Sequence, residues 1–456
     1  MPANIIAGIT IVKAFEWIWK NFGSNIAKSS SESLWKKFQF KQAAKRYAED
    51  MQRQYGFIQI LDMTAPVPLE GLFTQVNVLS IPTAFRRGNL EHIEQIYLGK
   101  AIYGEAIEKG RNALEVVKQH NRLFILGKPG AGKTTLLKYL VLVALQGKEL
   151  DRIPIFVRLR EFSESGCSLC EFIIHQFTIC DFPDAAPFIE TILRQGKALV
   201  LCDSLDEVNI QQDERDRVIR ELTDFSNTYD ESQVIITCRV AASEYRFSEC
   251  KFIPVEMADF EKEQIHAFVT NWFTHSTSSD ATANRLVKSP KDLINQFFEE
   301  FDEPEHMRLH DLAKTPLILT LLCVAYEATL EFPARRSEIY EEAFNTLLRK
   351  WDTSRNIKRD TVYYKLTLGR KRQMFARIAA ETFEQNEYLM KQEQLAGRIA
   401  EYLRHLPPAE SDEDIDGETI LKSIEAQHGI FVECTKGVYS FFSDRKSHLV
   451  PITDNM

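Results

Sequence analysis

Long apolar runs are scarce in these 456 residues. The amino-terminal stretch Ile5–Trp19 is the kind of segment that could be one, but Lys13 and Glu16 interrupt it. A spanning helix needs about 20 apolar residues, so this stretch is too short. It also lacks the small-residue cleavage site of a secretory signal. An excess of positive charge is missing as well. Lys and Arg total 56 against 65 Asp and Glu, a net charge of −9, which argues against nucleic acid as a partner. Cysteine is sparse: eight residues, several in apolar segments (Cys180, Cys202, Cys238, Cys323), which reads as buried thiols in a reducing, cytoplasmic setting. Cys167 and Cys170 form a C-x-x-C pair, and no second pair stands at zinc spacing, which argues against a metal or redox role. No internal repeat of 20–50 residues is visible. The chain has no Leu-Ser-Gly-Gly-Gln, against a transporter ATPase, and no Asn-Lys-x-Asp, against a guanine-selecting GTPase.

What is present is ordinary globular material, 44% hydrophobic and 27% charged, enough for about three domains at about 100–200 residues each. One stretch organises it. Leu123–Leu126 is a short apolar run of strand type. Gly127-Lys128-Pro129-Gly130-Ala131-Gly132-Lys133-Thr134-Thr135 follows, and Leu136, Leu137, Leu140 and Val141 then repeat at helical spacing. Gly127 to Thr134 fits G-x-x-x-x-G-K-[ST] in the strand–loop–helix context that this motif needs. The glycines let the backbone turn with its N–H groups pointing inward, and the helix brings its positive end to the same spot. Lys133 supplies a cation for the β- and γ-phosphates, and Thr134 a hydroxyl for Mg²⁺.

A second half of the site lies downstream. The apolar strand Ala198–Cys202 ends in Asp203-Ser204-Leu205-Asp206-Glu207, a carboxylate at the strand end where ligands bind in parallel sheets. Asp203 can hold Mg²⁺ directly or through water, and either Asp206 or Glu207 could orient or deprotonate a water. The strand Gln233–Thr237 runs into Cys238-Arg239, and an Arg there could sense or stabilise a γ-phosphate. Pro316 opens the apolar helix to Tyr326, a Pro at the first turn of a buried helix.

The remaining chain is read more coarsely. Ile5–Trp19 is an amphipathic helix, its Lys13, Glu16 and Lys20 on one face. It either packs on its own protein or serves as a docking, self-association or membrane-surface helix, with residues 5–20 as the membrane contact. Ser29–Ser33 reads as a linker and Trp35–Tyr55 as a basic helix with a solvated face. Ile58–Arg87 reads as a strand or extended connector, and Leu90–Val117 as helical. From Leu123 strands and helices alternate, with Ile153–Leu159 as a further strand, implying a parallel sheet covered on both faces. After about Ala258 the strands stop and helices follow, among them Ser337–Trp351 and Gly417–Gln427, until a hairpin turning at Lys436-Gly437. The acidic stretch Glu410–Asp416 beside that hairpin favours a packing unit over a DNA-binding one.

Taken together, the loop Gly127–Thr135, Ile155–Leu159, Leu201–Val208, Ile235–Arg239 and Thr315–Cys323 resemble a NACHT-domain protein of the STAND class of signal-transducing P-loop NTPases, over about 115–445. The resemblance implies an α/β parallel-sheet P-loop core. It implies a helical effector or connector region at 1–90, the NACHT domain at 91–257, a helical lid at 258–360, a winged-helix domain at 361–446 and a polar tail at 447–456. It implies ATP or ADP with Mg²⁺, a closed ADP-bound state, an open ATP-bound state that self-associates, and an unidentified activating ligand or protein. Pro316 would contact the adenine and Arg239 would act as sensor. Many bacterial relatives serve in defence against phage. The sequence departs from relatives after Tyr439-Ser-Phe: His448 is displaced from the place of the ADP-contacting His, so that role is not carried to it. The sensor repeats common in relatives are also missing, as expected of a truncated product, a minimal member or a partner-dependent switch. Two other readings stay open, a constitutive P-loop ATPase or remodeller working with a partner protein, and a scaffold that holds nucleotide permanently.

Overall fold

The computed structural model describes residues 30–58, 66–80, 110–128, 130–147, 149–182, 185–208, 212–239, 251–276, 289–307, 309–332, 366–385, 387, 390–405, 416–428, 431–435 and 437–441. The expected helices at 5–19 and 337–351, the acidic stretch before Asp416, Lys436 and the tail at 447–456 lie outside the described residues.

A seven-stranded sheet carries the site. Its strands are β3 (Asn77–Leu79), β4 (Arg111–Asn112), β5 (Arg122–Gly127), β6 (Ile153–Arg158), β7 (Ala198–Asp203), β8 (Gln233–Arg239) and β9 (Ile253–Met257), in spatial order β4-β3-β9-β5-β8-β7-β6. The five strands from β9 to β6 are parallel. β3 and β4 join antiparallel at one edge. β7 and β8 are buried at every position, as expected of parallel strands covered on both faces. The register aligns Gly127 with Arg239 and Arg158 with Asp203, so the chemistry-bearing residues gather at one end of the sheet.

The sheet begins upstream of the expected domain start at 91, with β3 at 77–79. The expected linker is also displaced, because the helix starts at Ser30 and runs to Tyr55. Serines are favoured at helix starts as well as in loops, so composition alone cannot separate the two. In this helix Ala43, Ala44, Tyr47, Ala48, Met51 and Tyr55 are buried, while Lys41, Lys45, Arg46 and Arg53 are exposed, the solvated basic face that the spacing predicts. The helix lies along the edge strand β6. The Tyr47 hydroxyl donates to the Pro154 carbonyl at 2.8 Å, and Tyr55 stacks on Phe156 with centroids 4.3 Å apart. The short strands β1 (Phe57–Ile58) and β2 (Val67–Pro68) pair antiparallel beside it.

After β9 come the helices Lys262–Ser276, Pro290–Phe301, Leu309–Ala313 and Pro316–Thr329. Trp272, Phe273, Phe297, Phe301 and Tyr326 bring them into the same apolar core as the sheet. A separate core, built on Met374, Phe375, Leu395, Ile399, Leu421 and Phe431, holds the carboxy-terminal elements. These are the helices Leu368–Glu384, Gln392–Arg404 and Gly417–His428, with strands β10 (Met390–Lys391), β11 (Phe431–Thr435) and β12 (Val438–Phe441) in the order β10-β12-β11. The expected hairpin is β11–β12, with Gly437 at φ 74° in its turn. Among the described residues no helix is long and apolar enough to cross a membrane.

Candidate nucleotide-binding site

The β5 strand ends at Gly127, and the helix Lys133–Gln146 starts six residues later. Between them the backbone reaches φ 76° at Gly130 and φ 90° at Gly132, values that side-chain-bearing residues rarely adopt. Pro129 lies outside the described residues. The Ala131 N–H donates to the Lys128 carbonyl at 3.2 Å and closes the turn. Thr135 is the third residue of the helix and partly buried. Lys133 folds back over the loop, its ammonium donating to the carbonyls of Gly127 at 2.6 Å and Lys128 at 3.0 Å. Loss of hydration lowers the pKa of this ammonium to about 8, and the carboxylate of Asp206 opposes that shift.

Thr134 brings its hydroxyl to both carboxylate oxygens of Asp203, at 3.1 and 3.0 Å. Asp203 closes β7 and is buried. Burial raises its pKa, and hydrogen bonds from Thr237 and Thr134 work against that rise. The chain then turns through Ser204, at φ 62° and ψ 66°, into a short 3₁₀ turn over Leu205–Glu207. This turn separates the two following acids. Asp206 is buried and forms an ion pair with Arg239, Oδ2 to Nε at 2.9 Å. Its Oδ1 accepts the Arg239 backbone N–H at 3.2 Å. Glu207 is partly exposed.

Pro316 stands at the first position of its helix, and the next residue touches the loop. The Leu317 N–H donates to the Gly130 carbonyl at 3.3 Å. A Cβ placed on Gly130 would lie 2.8 Å from the Leu317 Cβ. Lys128 reaches Asp259, just beyond β9, at 3.0 Å. The Phe260 N–H donates to the Lys314 carbonyl at 2.8 Å. The residues expected at the site from Gly127 to Thr135, Asp203, Asp206, Glu207 and Arg239 therefore meet at one end of the sheet, with Pro316 beside them and Pro129 aside.

Other residues near this end were not singled out by the sequence. Arg158 lies over the Tyr55 ring at 5.8 Å and pairs with Glu161 at 3.0 Å. Thr237 contacts Asp203 at 2.8 Å. The only sequence signal for Thr237 is a polar residue closing the run Val234-Ile-Ile.

The donor set fits a nucleotide with Mg²⁺. Mg²⁺ favours one or two carboxylates together with phosphate oxygens over an all-protein cage, and the Thr134 hydroxyl and Asp203 carboxylate offer two hard oxygen donors beside the loop. Among the described residues no group of three or more His, Cys, Asp or Glu could hold a metal by itself.

Residues 121–276 match the family model described as NACHT domain. No curated protein matches the chain. Solved structures similar to it include the Aeropyrum pernix ORC2 protein in ADPNP–ADP complexes, at 10% identity and TM-score 0.35, covering 76% of this chain and 93% of that one. AMPPCP-bound DnaA from Aquifex aeolicus aligns at 15% identity and TM-score 0.29, over 72% of this chain and 90% of its own. Cdc6p from Pyrobaculum aerophilum aligns at 13% and 0.27, over 82% and 96%.

Proposed function

Because the chain carries a NACHT domain, a P-loop NTPase domain of STAND type, across residues 121–276, we propose that it is an ATP-binding switch that hydrolyses its nucleotide slowly. The observation that carries this reading is the meeting of Lys133, Thr134 and Asp203 where the P-loop helix begins. Lys133 exchanges its two carbonyl partners for β- and γ-phosphate oxygens. The loop from Gly127 to Thr135 wraps the phosphates with backbone N–H groups. Thr134 and Asp203 hold Mg²⁺, which when bound offsets charge on the phosphate oxygens.

Asp206 is committed to Arg239, which supports Glu207 as the acid that orients the attacking water and Asp206 as the residue that aims Arg239 at the terminal phosphate. Pro316 lies beside the adenine, and the helices after β9 act as a lid over the bound nucleotide. Three helices against the β10–β12 sheet support a winged-helix unit within 361–446. In this reading ADP holds the closed form, ATP opens it, and the open form self-associates. The region before residue 91 passes the change to an effector or partner, and a defence setting rests on the resemblance alone.

Purified protein should retain ADP and turn over fewer than about one ATP per minute unstimulated, whereas a working ATPase approaches about 1–10 per second. Fast turnover without an activator would rule out the switch.

A further inference from the structure

We infer that Thr237 is a positioning residue for the Mg²⁺ carboxylate, an inference that rests on the nucleotide reading above. Thr237 is fully buried in β8, the strand next to β7. Packing there asks only for a β-branched shape, and Val would supply it. A hydroxyl in such a place is costly unless it is bonded, and this one is bonded twice. It accepts the Ser204 N–H at 2.8 Å, and it lies 2.8 Å from Asp203 Oδ1.

Those two contacts fix where its proton goes. A backbone N–H can only donate, so Thr237 Oγ1 accepts from Ser204, and an ionised carboxylate can only accept, so the hydroxyl proton points at Asp203. The Thr134 hydroxyl also donates to Asp203. When a divalent cation binds, however, Thr134 turns its oxygen to the metal. Thr237 is then left as the donor that fixes the carboxylate plane. Its second bond ties down Ser204, whose φ of 62° starts the turn that separates Asp206 from Glu207. One hydroxyl thus sets both the metal ligand and the turn after it. Groups that orient a ligand from behind typically shift metal affinity by about 10–100-fold.

The test is a Mg²⁺ titration of the full chain loaded with a fluorescent ATP analogue, beside nucleotide binding in EDTA and a thermal melt. Thr237→Val should weaken apparent Mg²⁺ affinity by about 10–100-fold and leave Mg²⁺-free nucleotide binding unchanged. Thr237→Ser, which keeps the hydroxyl, should stay within about threefold of the parent. Thr237→Cys keeps the shape with only a weak donor, so it should also lose Mg²⁺ affinity and serves if the Val variant does not fold. Parental Mg²⁺ affinity in both the Val and the Cys variant would overturn the assignment. Failure of the unsubstituted protein to bind nucleotide at all would instead overturn the nucleotide reading beneath it.

Discussion

Lys133 and the three acids after β7 divide the work at the residue scale. Lys133→Ala removes the cation beside the loop. ATP and ADP affinity should fall by at least about 100-fold, measured by calorimetry; unchanged affinity would remove the loop as the site. Glu207→Gln should slow single-turnover hydrolysis by about 10²–10⁴-fold with binding retained, the usual weight of a general base. Asp206→Asn should behave differently, because it leaves Arg239 buried beside a neutral amide. A loss of about 3–5 kcal/mol in unfolding free energy follows from breaking a buried pair, read from denaturant midpoints.

Acidity gives a further check. The Lys133 ammonium titrates near 8, and bound phosphates favour its charged form. Above that pH binding must take up a proton, so affinity should fall, approaching about tenfold per unit, until the ordinary lysine range is reached. The fold without nucleotide should move the other way. In the same window the unfolded chain holds a proton that the folded chain does not, so unfolding free energy should rise with pH. Nucleotide titrations and melts between pH 7.5 and 10 on the same sample separate the two trends.

At the scale of elements, the loop is held by what packs on it. Gly130 and Gly132 both have positive φ, but nothing lies within 4 Å of a Cβ on Gly132, whereas one on Gly130 meets Leu317 at 2.8 Å. Gly132→Ala should therefore cost only its left-handed strain, about 1–2 kcal/mol. Gly130→Ala should cost about 1–3 kcal/mol more for overpacking. Equal denaturant midpoints for the two variants would show that the helix from Pro316 does not press on the loop.

The buried strands of this sheet were legible because each is an unbroken aliphatic run ending in a glycine, acid or arginine. Ile125-Leu-Gly, Leu201-Cys-Asp and Ile236-Thr-Cys-Arg239 follow that pattern. β9 escaped because Pro254 and Glu256 sit inside it. A proline argues against a central strand, yet β3 pairs only with Glu256 and Met257, so the Pro254 end is hydrogen-bonded to β5 alone. β3 and β4 are three and two residues long, too short for alternation to show. The pairing of Asp206 with Arg239 was not legible either. Which of two adjacent acids turns inward depends on the Ser204 backbone, and that follows from a hydroxyl one strand away.

Across the whole molecule, three links join the phosphate loop to the helices after β9: Leu317 to Gly130, Lys128 to Asp259 and Phe260 to Lys314. The Lys128–Asp259 pair is exposed, with side chains at 37% and 49%, and such pairs add about 0–1 kcal/mol. The coupling therefore rests on the Leu317–Gly130 packing and the backbone bonds. A loop that changes shape around a γ-phosphate would move the helix from Pro316 and all that shares its core. A ligand shifts such an equilibrium only by its differential affinity for the two forms, so ADP and ATP must be distinguished by the protein as a whole. The most direct measurement is the solution mass by light scattering, first with ADP and then with a non-hydrolysable ATP analogue, at saturating Mg²⁺. The switch predicts a monomer with ADP and a larger assembly only with the analogue. One unchanged mass in both, with both nucleotides shown to be bound, would contradict it.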